Sequence, residues 1–438
     1  MLLCFIFVVI MDGYKNRIAD EILRDNLEAA GLVLIEGTKW CGKTTTAEQQ
    51  AKSIVYMNDP ERSESYFMLA QNAPGLLLRG DTPRLVDEWQ DAAELWDAAR
   101  FEVDHRPVKT GQFIFTGSTI VPKEKREKIK HSGTGRIARM IMRPMSLWES
   151  GESNGRLSLS ALFNGKTEDA YDSNPLDVEA IAWLICRGGW PAALTMTKKG
   201  ALKQSTNYID AIANSDISDV DGVGRDSEFT LRLLRSYSRF QGAQAPISSI
   251  HADLTANADS SMKEDTIASY ISALKKLFVI EDVPAWNPNL RSKTAIRTSD
   301  TRYFVDPSIA TAAMGIGPEN LLFDLNTMGL LFETLCIRDL RVYSELLDGK
   351  IYHYRDKNGL ECDAVLHLRN GKFGLIEVKL GGKKLIDEGA AVLTELSEKI
   401  DVDRMMAPSF MMVLTGTGDY AYKRTDGVWV VPIGCLKP

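Results

Sequence analysis

The chain has 438 residues, of which 44% are hydrophobic and 25% are charged, and its formal net charge is −7. This length is typical of about three domains, and the composition is that of a globular protein. The negative charge excludes a histone-like or polybasic protein, but a local basic patch would still allow nucleic-acid binding. The six cysteines show no Cys-x-x-Cys spacing, which favours neither a zinc ribbon nor a disulfide framework. A reducing cytoplasm fits these features best.

The chain opens with an apolar leader, Met1–Ile10. The leader is too short to span a bilayer, and it lacks the basic start and small-residue cleavage site of a signal peptide. Met11 begins an ordinary polar helix start, so we expect translation to begin there or the first ten residues to be dispensable. A peripheral membrane role is the alternative. We expect no stable membrane insertion.

The most informative stretch fits the pattern Gly-x-x-x-x-Gly-Lys-Ser/Thr of a phosphate-binding loop. Its members, with the residue that follows, are Gly37, Thr38, Lys39, Trp40, Cys41, Gly42, Lys43, Thr44 and Thr45. A buried strand over 31–36 precedes the loop, and a helix over 43–52 follows it, so the helix N-terminus would favour an anion. Lys43 would reach the β- and γ-phosphates, and the Thr44 hydroxyl would bind Mg²⁺. The alternative is a glycine-rich turn without a ligand.

Two adjacent carboxylates, Asp87 and Glu88, end a short strand that begins at Arg84. A nucleotide hydrolase needs an acidic group near Mg²⁺ and a residue that orients or deprotonates the attacking water. We expect Asp87 to hold the metal's water shell and Glu88 to face the γ-phosphate, as in a Walker B motif. Such a run alone is more often a solvent-exposed strand end, but here it follows a phosphate-binding loop.

A third strand, over 112–116, ends in small hydroxyl residues. Thr116 is the first choice for a residue that senses the γ-phosphate, and Ser118 is the second; the alternative is that they only cap a turn. With further strands over 52–57 and 138–142, the first ~150 residues predict a doubly wound α/β domain. Its strands would be parallel, and its ligand would lie at their carboxyl ends.

Arg136 follows two glycines at the end of a run of basic residues. A glycine-flanked arginine at this point would act as an arginine finger or a γ-phosphate sensor. The alternative is that the whole basic run is a solvated face.

The middle of the chain begins with a polar stretch from Gly151 to about Pro175, which predicts a linker or mobile insertion. A helical region follows and ends near residue 225. Three helices, a basic segment with Arg291, Lys293 and Arg297, and a strand then predict a winged helix over 226–320. Its third helix, over 263–278, would contact phosphates and base edges. Many such folds instead serve as spacers or protein docks, so DNA contact is one of two interpretations.

The C-terminal region, over 321–438, predicts the order α-β-β-β-α-β. Its first helix carries Glu333, its second strand carries Asp363, and its third strand carries Glu377 and Lys379 on one face. This is the D…E-x-K arrangement of a PD-(D/E)xK nuclease core, in which two carboxylates bind a divalent metal and the lysine assists the attacking water. Alternating charge on a half-exposed strand is the alternative, and a nuclease-like fold does not by itself imply nuclease activity.

From about Met11 onward, the chain resembles the bacterial and archaeal AAA-type ATP-binding proteins that combine an AAA+ core with a winged helix and a nuclease-like domain of unknown function. The resemblance is carried by Gly37–Thr44, Leu85–Glu88, Thr116–Ser118, Gly135–Arg136, Gly188–Pro191, Asp363 and Glu377–Lys379. It implies an AAA+ core over 11–150 that uses ATP or ADP with Mg²⁺, with Thr116 at the position called sensor 1. It also implies a homo-oligomer, because a neighbouring subunit often supplies an arginine.

Three functions are compatible with these features. The first is a Mg²⁺-dependent ATPase whose nucleotide state positions the winged helix and the nuclease-like domain on DNA. The second is a metal-dependent nuclease that ATP regulates, and the third is a non-hydrolysing nucleotide switch that docks a protein partner.

Overall fold

The computed structural model describes residues 13–118, 129, 133–166, 173–256, 263–288 and 296–438, so the apolar leader lies outside the described residues. The chain forms two compact units. The first contains Met1–Arg143, Ser218–Gly224 and Lys276–Phe278, and the second contains Pro144–Ile217, Arg225–Lys275 and Val279–Pro438. In the ranges that are described, no helix is long and apolar enough to cross a membrane. The finer division of residues 144–438 into three domains stays a prediction.

The first unit is built on a parallel five-stranded sheet with the order β2-β3-β4-β1-β5. Its strands are β1 (Leu32–Gly37), β2 (Ser53–Tyr56), β3 (Arg84–Asp87), β4 (Phe113–Gly117) and β5 (Ile137–Met142). Its helices are Ile18–Ala29, Lys43–Glu48, Ser63–Asn72, Pro74–Leu77 and Glu94–His105. The predicted parallel α/β sheet is confirmed, although the helix after the phosphate-binding loop ends at Glu48 instead of Lys52.

Strand β1 is buried on both faces, because helices cover both sides of the sheet. Leu32 and Leu34 pack in one apolar cluster, which also contains Trp96. Val33 and Ile35 pack in a second cluster on the other face, since successive side chains of a strand point to opposite faces. This double burial fixes β1 in the centre of the sheet and presents the phosphate-binding loop at its carboxyl end.

The described α-helices between Arg143 and Gly349 are Leu147–Ser150, Leu159–Phe163, Val178–Arg187, Lys198–Ala211, Ile217–Asp219, Ser227–Ser238, Ile247–Thr255, Glu264–Lys276, Pro307–Met314, Pro318–Phe323 and Leu325–Leu346, with a π-helical turn at Ile212–Asp216. Three of them, from Ser227 to Lys276, occupy the positions predicted for a winged helix. Antiparallel bridges join Ile280 to Phe304 and Val283 to Thr301 after the third helix. The winged-helix assignment stays a prediction, and Arg291 and Lys293 lie outside the described residues.

The polar stretch after Gly151, which was predicted as a linker or mobile insertion, is packed in part of its described residues. Its described part contains strand β6 (Leu157–Ser158), which pairs in parallel with β13 (Leu436–Lys437), and Leu159 and Leu162 are buried. Ser153 also donates a 2.6 Å hydrogen bond to the carbonyl of Leu436. The segment is packed because β6 pairs with the chain's C-terminal strand and a few leucines are buried, which a composition-based interpretation of the polar residues overlooks.

The C-terminal region contains a six-stranded mixed sheet with the order β11-β12-β10-β9-β8-β7. Its strands are β7 (Gly349–Arg355), β8 (Glu361–Leu368), β9 (Phe373–Lys379), β10 (Phe410–Thr415), β11 (Tyr422–Lys423) and β12 (Trp429–Pro432). Strands β7, β8 and β9 are antiparallel, and the helix Lys383–Lys399 connects β9 to its parallel neighbour β10. The four predicted strands and the helix are present, whereas β11 and β12 were not predicted.

Candidate functional site

The loop after β1 has a backbone shape that only glycine allows at two positions. Gly37 has φ of 150° and Gly42 has φ of 99°. A Cβ atom on Gly37 would lie 2.0 Å from the carbonyl oxygen of Met142, so the close packing of the loop against β5 requires glycine. Trp40 also has a positive φ, 66°, and is 45% exposed. The glycines of the motif are therefore explained by backbone geometry.

Lys43 is held inside this loop. Its ammonium donates hydrogen bonds to the carbonyls of Gly37 (3.0 Å) and Thr38 (2.8 Å), and its side chain is largely buried. The guanidinium of Arg17 supports the loop from behind by donating to the Cys41 carbonyl at 2.8 Å. Arg17 was not predicted as part of the site, because it lies 20 residues before the motif and carries no signature of its own.

Asp87, at the end of β3, contacts Thr116 at the end of β4, and the sequence predicted that these two strand ends meet. The hydroxyl of Thr44 donates to Asp87 Oδ1 at 2.7 Å, and the hydroxyl of Thr116 donates to the same oxygen. Asp87 and Thr116 are register partners on β3 and β4, which explains their contact. A hydroxyl beside a carboxylate is the donor set with which proteins hold Mg²⁺ together with nucleotide phosphates, so these residues fit the metal.

Glu88 follows Asp87 in a left-handed conformation with φ of 55°. Its Oε2 atom accepts a hydrogen bond from the side-chain amide of Gln90 and a longer one, at 3.4 Å, from Ser118. Burial raises the pKa of the Glu88 carboxyl above its ordinary value. A carboxylate with a raised pKa is a better proton acceptor than an ordinary one. Gln90 was not predicted as part of the site.

The remaining predicted residues are Arg136, Lys39 and Thr45, and Arg136 lies away from the phosphate-binding loop. Arg136 precedes β5, and its carbonyl accepts the amide of Leu32, so it lies at the amino end of β1 and not beside the loop at the carboxyl end. Its guanidinium is paired with Asp104 at 2.8 Å. Lys39 is half-buried and Thr45 is exposed. The position of Arg136 therefore does not support a role in sensing the γ-phosphate bound to its own subunit.

A family comparison decides what this unit is. Residues 30–150 match the model of the AAA domain. This segment is an AAA domain of the P-loop type. Two further models match the rest of the chain, namely the domain of unknown function DUF8612 over residues 178–320 and the domain of unknown function DUF4143 over residues 328–436. No curated protein matches the chain.

Solved structures give weaker similarities. The Walker-type ATPase PABY2304 of Pyrococcus abyssi is 14% identical, with 67% of this chain and 94% of that chain covered and a TM-score of 0.38. The ORC2 protein of Aeropyrum pernix, solved in ADPNP and ADP complexes, is 15% identical, with coverage of 61% and 86% and a TM-score of 0.29. Because these TM-scores are low, the assignment of the AAA domain rests on the family model and on the parallel sheet.

A second cluster of charged residues lies in the C-terminal sheet of the second unit. The ammonium of Lys379 lies 2.6 Å from Glu377 and 3.5 Å from Asp363. The backbone reinforces this arrangement, because the amide of Val378 donates to Asp363 at 2.8 Å and the amide of Asp363 donates to Glu377 at 3.3 Å. The predicted D…E-x-K residues are thus brought together by the pairing of β8 with β9.

The electrostatics of this cluster are those of buried, crowded carboxylates. Burial and the charge of Asp363 raise the pKa of Glu377 to about 8. Burial and the same neighbouring charge also raise the pKa of Glu333, whose carboxylate accepts a hydrogen bond from the phenol of Tyr303. Burial opposes the charge of Lys379, but the two carboxylates outweigh it and raise the pKa of the ammonium. Lys379 therefore stays positively charged.

The cluster lines a cleft of about 450 Å³ that also contains Glu361, Glu395 and Lys399. In the part of the chain that the structure describes, no three His, Cys, Asp or Glu side chains are arranged to hold a metal ion. Asp363 and Glu377 match the two carboxylates of the predicted metal site, but Lys379 lies against both of them. The arrangement fits the nuclease-like residue pattern and does not form a three-carboxylate metal centre.

Proposed function

We propose that the chain is a Mg²⁺-dependent ATPase, with the reaction in its AAA domain. One observation carries this proposal. The hydroxyls of Thr44 and Thr116 both donate to the same carboxylate oxygen of Asp87, and Glu88 is the next residue in the chain. Three separate stretches of sequence thus meet where the phosphate-binding loop leaves β1. A turn without a ligand would not require this convergence.

Each residue of the site has a distinct task in the proposed reaction. The loop amides and Lys43 bind and orient the phosphates; Thr44 and Asp87 would hold Mg²⁺, which would supply positive charge against the phosphates. Glu88 accepts the proton of the attacking water, for which its raised pKa is suited. Gln90 and Ser118 fix the orientation of the Glu88 carboxylate, and Thr116 fixes that of Asp87.

ATP hydrolysis by the wild type and by Glu88→Gln, each with and without duplex and single-stranded DNA, tests the proposal. We expect turnover in the wild type and a loss of about 10²-fold or more in the variant, with ATP binding retained in both. Tight ATP binding without turnover in either protein would contradict the ATPase and favour the nucleotide switch that docks a protein partner.

The finer part of the proposal is that nucleotide state positions the winged helix and the nuclease-like region on DNA. The succession of three helices and two antiparallel bridges supports the winged helix, and stimulation of turnover by DNA would support the coupling. A homo-oligomer is the further part of the proposal: because Arg136 lies at the amino end of β1, it would serve as an arginine finger only for the loop of a second copy. Light scattering of wild type and Arg136→Ala with ATP tests this assembly.

A second candidate function is cleavage of a phosphodiester at the cluster of Asp363, Glu377 and Lys379. The contacts of Lys379 with both carboxylates favour it, because Lys379 is placed to orient a water or a phosphate there. Incubation of the wild type with single-stranded DNA, duplex DNA and RNA in Mg²⁺ or Mn²⁺ tests this function. Cleavage that Glu377→Ala abolishes while ATP turnover survives would support it, and no cleavage of any substrate would count against it.

A further inference from the structure

A further cleft, here called the aromatic cleft, lies in the second unit at the hairpin where β8 turns into β9. Its volume is about 690 Å³, which is within the usual range of ligand sites. Its walls include Trp286, Asn287, Tyr352, His367, Arg404 and Met405. None of the described residues that line it is acidic, whereas acidic residues surround Lys379 in the other cleft. The described walls of the aromatic cleft therefore carry no charge that would repel an anion.

The rings of the aromatic cleft pack on one another. The imidazole of His367 lies 6.4 Å from the ring of Tyr352 and 6.3 Å from that of Trp286, measured between ring centroids. Phe373, the register partner of His367 on β9, stacks on the same imidazole with an interplanar angle of 20°. Tyr352 and His367 are nevertheless only partly buried. Partly exposed rings that a sheet holds in place form a platform for another flat ring.

The polar atoms of these rings are available to a ligand. In the described structure, the phenol of Tyr352, the imidazole of His367 and the indole of Trp286 make no hydrogen bond. Burial lowers the pKa of His367, so its neutral imidazole offers one donor and one acceptor. An apolar ligand would leave these groups unpaired, which costs free energy. A nucleobase satisfies both requirements, because its face stacks on rings and its edge carries donors and acceptors.

Exposed cations lie next to the aromatic cleft on three segments of the chain. Arg404 lines the cleft, and its side chain is 72% exposed. Lys350 is exposed and is the register partner of His367 on β7, so the two side chains share a face of the sheet. Arg369, in the hairpin after β8, is 84% exposed. Each arginine has a carboxylate neighbour, at 3.3 Å and 4.0 Å, but such exposed pairs are weak. Cations on three segments suit the successive phosphates of a strand.

We propose that the aromatic cleft binds a nucleotide of a single-stranded nucleic acid, with the base against Tyr352 and His367 and the backbone phosphates against Arg404 and its neighbouring cations. Bases in a duplex are already stacked and paired, so the cleft selects single strands. This binding requires neither ATP hydrolysis by the AAA domain nor cleavage at Glu377. The site therefore stands independently of both proposed functions.

Photo-cross-linking of the full-length chain to a single-stranded oligonucleotide of about ten nucleotides, substituted with iodouracil, tests the site. EDTA is present, so neither metal-dependent cleavage nor ATP hydrolysis influences the result. We expect mass spectrometry to locate cross-links in the peptides that contain Tyr352, His367 or Met405, and we expect a duplex of the same sequence to give none there. Cross-links confined to other segments would overturn the proposal.

Fluorescence anisotropy with the same oligonucleotide measures what the cleft contributes to affinity. Tyr352→Leu keeps an apolar side chain but removes the ring, and it should weaken binding about tenfold. Arg404→Ala should weaken binding about threefold and reduce the salt dependence of the affinity. Because Arg404 is mostly exposed, this variant remains informative if Tyr352→Leu is poorly folded. Affinities of both variants equal to that of the wild type would contradict the proposal.

Two residues of the same unit provide matched controls outside the cleft. Tyr420 is 42% exposed and packs edge-to-face on Tyr422. Lys384 is mostly exposed, as Arg404 is, and lies 3.9 Å from the carboxylate of Glu388. Tyr420→Leu and Lys384→Ala should bind the oligonucleotide as the wild type does. Losses in these controls as large as those in the cleft variants would indicate diffuse surface binding and overturn the proposal.

Competition with thymidine monophosphate distinguishes a strand from a free nucleotide. The mononucleotide carries one phosphate, so it should compete at least about tenfold more weakly than an unlabelled oligonucleotide. Equal competition would overturn the assignment of a strand and identify a free nucleotide as the occupant of the cleft.

Discussion

The phosphate-binding loop of the AAA domain and the carboxylate cluster of the C-terminal sheet both hold a lysine, but by different means. Lys43 is bonded by two backbone carbonyls of its own loop, whereas Lys379 is bonded by carboxylates from two strands. Lys43 is thus placed by local backbone shape, and Lys379 by tertiary pairing. The comparison teaches that the position of the lysine depends on glycines in the first site and on the balance of charges in the second.

The largest expected effect is at the glycine that shapes the loop. Gly37→Ala places a Cβ atom 2.0 Å from a backbone oxygen at a positive φ, so we expect loss of ATP binding and a fall of about 3 kcal/mol in the free energy of unfolding. Gly135→Ala, which meets no described atom within 4 Å, should cost about 1 kcal/mol. Urea denaturation and nucleotide titration measure both.

Gly389→Ala applies the same change to the second site. Its Cβ atom would meet side chains at 3.3 Å or more, and alanine is the better helix former. Its free energy of unfolding should therefore stay within about 1 kcal/mol of the wild type. A loss as large as that of Gly37→Ala would mean that the second site also depends on backbone shape.

Removing the charge of each lysine should affect stability and ATP binding differently at the two sites. Lys379→Met removes the positive charge beside Asp363 and the hydrogen bond to Glu377, and we expect a loss of about 2–3 kcal/mol, below the cost of breaking a fully buried pair because Lys379 is partly exposed. Lys43→Met leaves two carbonyls unpaired and should cost about 1–2 kcal/mol, but it alone should abolish ATP binding. Equal losses of stability in the two variants, or impaired ATP binding in Lys379→Met, would contradict this difference between the two sites.

Part of the pH dependence of stability should arise from Glu377 in the second site. The pKa of Glu377 rises from 4.5 to about 8 on folding, so between these values the folded chain holds a proton that the unfolded chain has lost. The contribution of Glu377 to the free energy of unfolding should therefore fall as pH increases from about 5 to 8, by at most about 1.4 kcal/mol per pH unit. Glu377→Gln cannot titrate and should show a smaller slope in urea denaturation; Glu395→Gln, at an exposed position, should keep the wild-type slope.

The smallest effects should come from the two hydroxyls around the carboxylates of the AAA domain. Thr116→Val removes the hydrogen bond to Asp87 and should lower ATP turnover about tenfold. Ser118→Ala removes only a 3.4 Å contact with Glu88 and should lower turnover by less than about threefold. Steady-state turnover measures both, and the reverse order would make Ser118 the γ-phosphate-sensing residue instead of Thr116.

The five strands of the AAA domain and the phosphate-binding loop could be predicted from the sequence, because short apolar runs and a contiguous motif encode them locally. Arg17 and Gln90 could not, since neither belongs to a motif and each acts through a contact that only folding creates. The packing of the segment after Gly151 was missed for a similar reason. Its polar composition conceals the few buried leucines and the pairing of β6 with β13.

The sequence by itself determined the candidate site residues: Gly37, Lys43, Asp87, Asp363 and Glu377 all stand in patterns whose spacing follows from strand and loop geometry. Only the tertiary structure decided how they meet. Strand register brings Asp87 to Thr116 and Asp363 to Glu377, and strand order places Arg136 at the far end of β1. Such pairings depend on contacts between distant segments, and local sequence preferences do not specify them.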